Sequence, residues 1–139
     1  MDIAFLTGQL FNGFSVASLY ILAALGLALS FGLMRVINMA HGEILMLGSY
    51  LAYLTILFVP GPMGILVAMV VAFIGAGLFG AVLETGLVSR LTARPLDTLL
   101  ATWGVSLIMQ QAARDLFGAT GVSVQAPAWL DGGLTMGGL

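Results

Sequence analysis

The feature that most constrains this chain is the absence of charge over three long stretches. Residues 3–34, 44–83 and 98–113 contain no Asp, Glu, Lys or Arg. Only 7% of all residues are charged, against about 25% in an ordinary soluble domain. This composition cannot provide the charged surface that a soluble enzyme of this size needs, and it therefore argues against that class of protein. Because a helix needs about 20 apolar residues to cross the bilayer, we predict an all-α, polytopic transmembrane helix bundle.

Turn signals divide these runs into about four spans. The second run, residues 44–83, is too long for one crossing and is cut at Pro60, Gly61 and Pro62. A straight helix does not tolerate two prolines that flank a glycine. A hydrophilic loop is predicted at residues 89–97. The predicted spans are residues 10–33, a second that ends near residue 59, residues 63–88 and residues 98–117.

Arginine positions predict the orientation of the bundle. Arg90 and Arg94 lie in the predicted loop and place it in the cytoplasm, since basic residues favour the inner side. Arg35, at the end of the first span, then falls on the same side. Residues 118–139 are Gly-rich and more polar, and we expect an extramembrane or interfacial tail there.

The apolar part of the second span is too short to cross the hydrocarbon core of the membrane. Its apolar part, residues 44–59, would form about 24 Å of helix, whereas the hydrocarbon core is about 30 Å thick. The helix begins earlier, or the span has a broken or re-entrant start. Either way Asn38, His41 and Glu43 are drawn toward the membrane, where ionisable groups are functional candidates for a solute path or a conformational change. In the alternative interpretation, Asn38 caps the helix and the acid favours its dipole.

The fourth span carries a row of polar side chains. Each lies four residues from the last, which places them on one side of the helix. The row contains Thr98, Thr102, Ser106, Gln110 and Arg114. Thr102, Ser106 and Gln110 are candidates for lining the path of a polar, uncharged solute. The alternative is interhelical hydrogen bonding, for which such residues are common in membranes.

Other kinds of chemistry are poorly supported. The chain has no Cys and one His, so no metal site, nucleophile set or cofactor is predicted. A net charge of −2 provides no basic footprint, and nucleic acid is not an expected partner. We therefore predict that the protein is not an enzyme.

Two stretches carry a resemblance to a known family. Residues 31–53, FGLMRVINMAHGEILMLGSYLAY, resemble the membrane permeases of branched-chain amino acid and urea ABC importers, and INMAHGE at 37–43 is a specific signal. Residues 94–130 look more like the urea-importer permease. The resemblance implies that residues 1–139 are the N-terminal part of a transmembrane permease domain, from a fragment or a truncated frame.

The resemblance also implies partners, location and function. Such permeases are multi-pass proteins of the bacterial inner membrane that pair with a second permease subunit. Cytoplasmic ATPase subunits hydrolyse ATP, and an external solute-binding protein delivers the solute. The implied function is ATP-driven alternating access for a small polar solute, with urea favoured. Alternatives are a branched-chain amino acid permease, a non-transporting membrane assembly module and, third, a secondary transporter.

Overall fold

The computed structural model describes residues 3–122, and all regular structure within that range is helical. The predicted all-α fold is thus confirmed. Most of the predicted tail, residues 123–139, lies outside the described residues. The helices are α1 (Ile3–Met34), α2 (His41–Phe58), α3 (Pro62–Leu91) and α4 (Pro95–Phe117).

Three of the helices are long and apolar enough to cross a membrane, judged by length and composition: α1, α2 and α3. The segment predicted as a fourth span is a helix, α4, whose 23 residues extend about 34 Å, but it is not among the three candidate spans, so the fourth crossing stays a prediction. Its composition is more polar, because it includes Asp97, Arg114 and Asp115 as well as the polar row. The chain is a multi-pass helical membrane protein.

The loop predicted at residues 89–97 is wrong in extent. α3 continues through a π-helical turn at Glu84–Val88 and ends only at Leu91, and α4 begins at Pro95. The loop is therefore confined to residues 92–94. Charged residues do not stop a helix by themselves, and Pro is preorganised for a first helical position. The Thr92 hydroxyl also donates to the Val88 carbonyl, 3.0 Å away, and tightens the end of α3.

Small residues let α2 and α3 pack closely as an antiparallel pair. A β-carbon added to Gly48 of α2 would lie 3.8 Å from that of Ala76 in α3. One added to Gly75 would overlap the Leu51 side chain. Such close approach is typical of helix pairs in lipid, where small side chains allow the backbones to meet.

α2 and α4 run parallel. Their contacts follow the same order along both segments: Met39 with Thr102, Glu43 with Gln110, and Tyr50 with Phe117. Two membrane helices run parallel when the chain makes one further crossing, here α3, after the first helix and before the second. The alternation of direction predicted from the sequence therefore agrees with the packing.

We expect Cys residues introduced at Ser89 and Thr120 to be labelled from opposite sides of the membrane. Ser89 lies near the end of α3, and Thr120 follows the far end of α4. A membrane-impermeant maleimide, applied to sealed inside-out and right-side-out vesicles, makes the measurement. Labelling of both positions from one side would contradict the predicted topology, and labelling of Ser89 from outside would invert it.

Two glycines of α3 should respond oppositely to Ala. A β-carbon on Gly64 would overlap the Val59 carbonyl oxygen, whereas one on Gly77 meets nothing within 4 Å. We expect Gly64→Ala to destabilise the protein by about 1–3 kcal/mol through overpacking. Gly77→Ala should stabilise it by up to about 1 kcal/mol, because Ala favours helix. Unfolding in mixed micelles measures both, and equal effects would contradict the close contact at Gly64.

Candidate functional site

The segment between α1 and α2 is irregular and only partly buried, because Arg35, Ile37 and Met39 are exposed. α1 ends where Arg35 adopts a left-handed conformation, with φ of 54°, which costs a non-glycine residue roughly 1–2 kcal/mol. Val36 and Ala40 are buried in a cluster with Leu83 of α3. Irregular backbone at membrane depth is tolerated only when protein or a water-filled cavity surrounds it. α2 itself is continuous from His41 to Phe58, so the broken or re-entrant start of the second span stays a prediction.

Asn38 closes a turn within this segment. Its Oδ1 accepts the backbone N–H of Ala40 at 2.9 Å. α2 begins at His41 with Ala40 as its N-cap residue, and no side chain caps it. The alternative in which Asn38 caps α2 is thus wrong, and the helix starts later than such a cap would require. Instead, α4 reaches the segment, because the Met39 N–H donates to Thr102 Oγ1 at 3.1 Å.

Glu43 and Gln110 join the two groups of candidate residues. Gln110 Nε2 donates to Glu43 Oε1 at 2.7 Å and to Ser106 Oγ at 3.1 Å. The Glu43 side chain is buried, with 9% exposure of the residue. Its Oε2 is also buried and has no hydrogen-bond partner in the described part of the chain. We call Glu43, Thr102, Ser106 and Gln110 the polar cluster.

The polar row of α4 faces protein. Thr98 and Thr102 have 0% exposure, and Ser106 is also buried. The Thr98 hydroxyl donates to the Leu91 carbonyl at 2.8 Å, which links the end of α3 to the start of α4. Thr98 and Thr102 thus form hydrogen bonds that reach beyond α4, as in the hydrogen-bonding interpretation, whereas Ser106 accepts from Gln110 of the same helix. A role in the solute path stays a prediction.

The remaining candidates lie apart from the polar cluster. The His41 imidazole lies against α1, where a β-carbon on Gly26 would sit 3.0 Å from its Cε1 and Nε2. Its Nε2 is buried without a partner within residues 3–122. Arg90 and Arg94 are exposed at the turn between α3 and α4, and Arg94 lies 3.6 Å from Asp97. An exposed pair of this kind contributes about 0–1 kcal/mol.

Some contacts of the site had no signal in the sequence that we used. The Met39 N–H is a main-chain donor, so no side-chain pattern reports it. Phe117 stacks on Tyr50 with ring centroids 4.2 Å apart, and it meets Tyr53 edge-on at 6.4 Å. These aromatic contacts bring the end of α4 against α2, and the aromatic residues of the two spans could have suggested them. No group of three or more potential metal ligands occurs in residues 3–122.

A carboxylate buried between two helices of a membrane bundle is typical of the class of polytopic membrane transport proteins. Comparison with known families makes the assignment specific. Residues 9–132 match the family model described as "Branched-chain amino acid transport system / permease component". The chain belongs to this family, and as a multi-pass helical protein it resides in the bacterial inner membrane.

Individual relatives agree with the family match. The chain is 35% identical over 116 residues to the high-affinity branched-chain amino acid transport system permease protein BraD of Pseudomonas aeruginosa, an alignment that covers 75% of this chain and 36% of BraD. It is 32% identical over 112 residues to the corresponding protein LivH of Escherichia coli K12, with 73% and 35% covered. The LivH protein of Salmonella typhimurium matches to the same extent.

These relatives bear on the sequence-based expectations in two ways. The chain aligns with only about a third of the length of each. Their names refer to branched-chain amino acids, so the expectation of urea as the solute is not supported, and the alternative fits better. No solved structure matches the chain significantly.

Proposed function

We propose that this chain forms the N-terminal part of the permease subunit of an ABC importer for branched-chain amino acids. The family match over residues 9–132 is the observation that carries the proposal. The names of the relatives favour this solute class over urea. In such an importer a second permease subunit completes the pathway. Cytoplasmic ATPase subunits supply the energy, and an external solute-binding protein delivers the solute.

The polar cluster suggests how this part of the permease takes part in alternating access. The irregular segment at residues 35–40 connects α1 to the start of α2. It is held to α4 by the Met39–Thr102 bond and, one turn further on, by the Glu43–Gln110 bond. Rocking of α4 against α2 would exchange these bonds for bonds to solute or water. We propose that Asn38, His41 and Glu43 move with this segment while Thr102, Ser106 and Gln110 border the path.

The direct test is solute uptake by the complete transporter, purified with this subunit and reconstituted in vesicles. We expect ATP-dependent accumulation of radiolabelled leucine that unlabelled valine and isoleucine inhibit and urea does not. The matched control is the same complex with an ATPase subunit unable to hydrolyse ATP.

Each other outcome assigns a different function. ATP-dependent uptake of urea, without leucine uptake, would restore the urea importer. Flux driven by an ion gradient and insensitive to ATP would indicate a secondary transporter. A stable complex that moves neither solute would favour a membrane assembly module.

A further inference from the structure

We propose that Glu43 binds the ammonium group of the solute through its Oε2 atom, an inference that rests on the function proposed above. Glu43 Oε1 is occupied by Gln110, which donates at 2.7 Å. Oε2 is buried and has no partner within residues 3–122. A buried polar atom normally has a hydrogen-bond partner, and an unpaired one calls for an explanation such as a missing ligand.

The negative charge of the Glu43 carboxylate supports this inference. An ionised carboxylate removed from water carries a penalty of several kcal/mol unless a cation and further hydrogen bonds compensate it. The chain has no Lys, and no Arg forms an ion pair with Glu43 in the described residues. Arg94 instead pairs with Asp97, and Arg114 bonds to Gln111 at 3.0 Å. Within residues 3–122 no Arg forms an ion pair with Glu43, so a cation from outside the described chain would compensate its charge.

A branched-chain amino acid supplies such a charge. Its ammonium group carries three N–H donors, and a charge-assisted hydrogen bond to a carboxylate is roughly twice as strong as a neutral one. Urea can also donate N–H groups to the carboxylate, but it is neutral and adds no attraction between opposite charges. Gln110, which also donates to Ser106 Oγ, holds the carboxylate by one oxygen, and this fixes the direction in which the second oxygen is offered.

Access to Glu43 requires movement, because Oε2 is enclosed. α1 meets this end of α2 where Gly26 lies against His41, two residues before Glu43. We expect the ammonium group to enter when α1 and α2 move apart.

Glu43→Gln in the complete transporter tests the proposal. The variant keeps the shape of the side chain and an acceptor for Gln110, and it removes the charge. Since a hydrogen bond to a charged group contributes about 1.5–3 kcal/mol, ATP-driven leucine uptake should fall about 10- to 100-fold. Assembly with the ATPase subunits should persist. The matched control is Asp97→Asn, which neutralises an exposed acid at the start of α4 and should leave uptake within about twofold, as expected of a surface substitution.

Three outcomes would overturn the proposal. Unchanged leucine uptake in Glu43→Gln would show that the charge is not used. Loss of assembly or of thermal stability would show that the cation facing Oε2 is a basic side chain of the rest of the transporter. In the unmodified complex, dicyclohexylcarbodiimide labelling of Glu43, located by mass spectrometry, should slow in saturating leucine and not in urea; equal labelling with and without leucine would also overturn it. If the unmodified transporter moves no leucine, the proposed function itself fails, and the wild-type assay alone reveals this.

Discussion

Replacement of Gln110 by Leu should lower the free energy of unfolding of the complete permease by about 3 kcal/mol, because it strips a buried charged group of its partner. Gln110 provides the donor that reaches Glu43 Oε1 at 2.7 Å, and Oε2 already lacks a partner. Leu is similar in size, so the loss would come from the carboxylate and not from a cavity. Unfolding in mixed micelles, followed by circular dichroism, measures the change.

A double-mutant cycle isolates this contact. Adding Glu43→Leu to Gln110→Leu should restore most of the lost stability, because removal of both polar partners can be nearly neutral. Gln111→Leu is the matched control, since Gln111 is exposed and bonds only to Arg114 and Asp115. If Gln110→Leu costs no more than Gln111→Leu, the Gln110–Glu43 bond does not hold α2 to α4.

The same variants distinguish a packing role of the polar cluster from a role in transport. The double variant should assemble like the wild type and yet take up little leucine, because the solute has lost its acceptor and a polar part of its path. Full uptake by a well-assembled double variant would make the polar cluster purely structural. It would also contradict the role proposed for Glu43.

The helices could be predicted from the sequence because membrane spans obey two simple physical limits. Charge is excluded from the hydrocarbon, and the break at Pro60–Pro62 interrupts the longest apolar run. The end of α3 could not be predicted in the same way. Arg90 and Ser89 are compatible with helix, and the π-helical turn at Glu84–Val88 inserts a local change of register that no apolar pattern reports.

The site was predictable as two separate groups but not as one. Spacing along a single helix places Thr102, Ser106 and Gln110 on one side, yet it says nothing of which helix faces them. That depends on the rotation and distance of α2 relative to α4, which arise from packing of the whole bundle. The identity of the solute was harder still to predict. The Gln110 amide and the Thr102 and Ser106 hydroxyls can form hydrogen bonds to urea as well as to an amino acid. The carboxylate oxygen left open at Glu43 became apparent only from the structure.

Thr102→Val should have the second large effect, a loss of about 2 kcal/mol in stability. Thr102 is fully buried, and its Oγ1 accepts the Met39 N–H at 3.1 Å while donating to the Thr98 carbonyl at 2.9 Å. Val has nearly the same shape but no acceptor, so the Met39 N–H would lose its partner in the protein. Thr102→Ser keeps the hydroxyl and should retain most of the bond.

Thr55→Val is the matched control, because the Thr55 hydroxyl bonds within α2 to the Leu51 carbonyl at 2.7 Å and joins no second element. It should change stability by less than about 0.5 kcal/mol, since that carbonyl keeps its helical partner. The specific readout is hydrogen exchange at the Met39 amide, which should quicken in Thr102→Val and remain slow in Thr102→Ser and Thr55→Val. Because the irregular segment before α2 is attached to α4 through this bond, faster exchange there with an unchanged rate in the middle of α2 would locate the loosening at residues 35–40. Equal exchange at Met39 in all three variants would mean that Thr102 does not hold this segment.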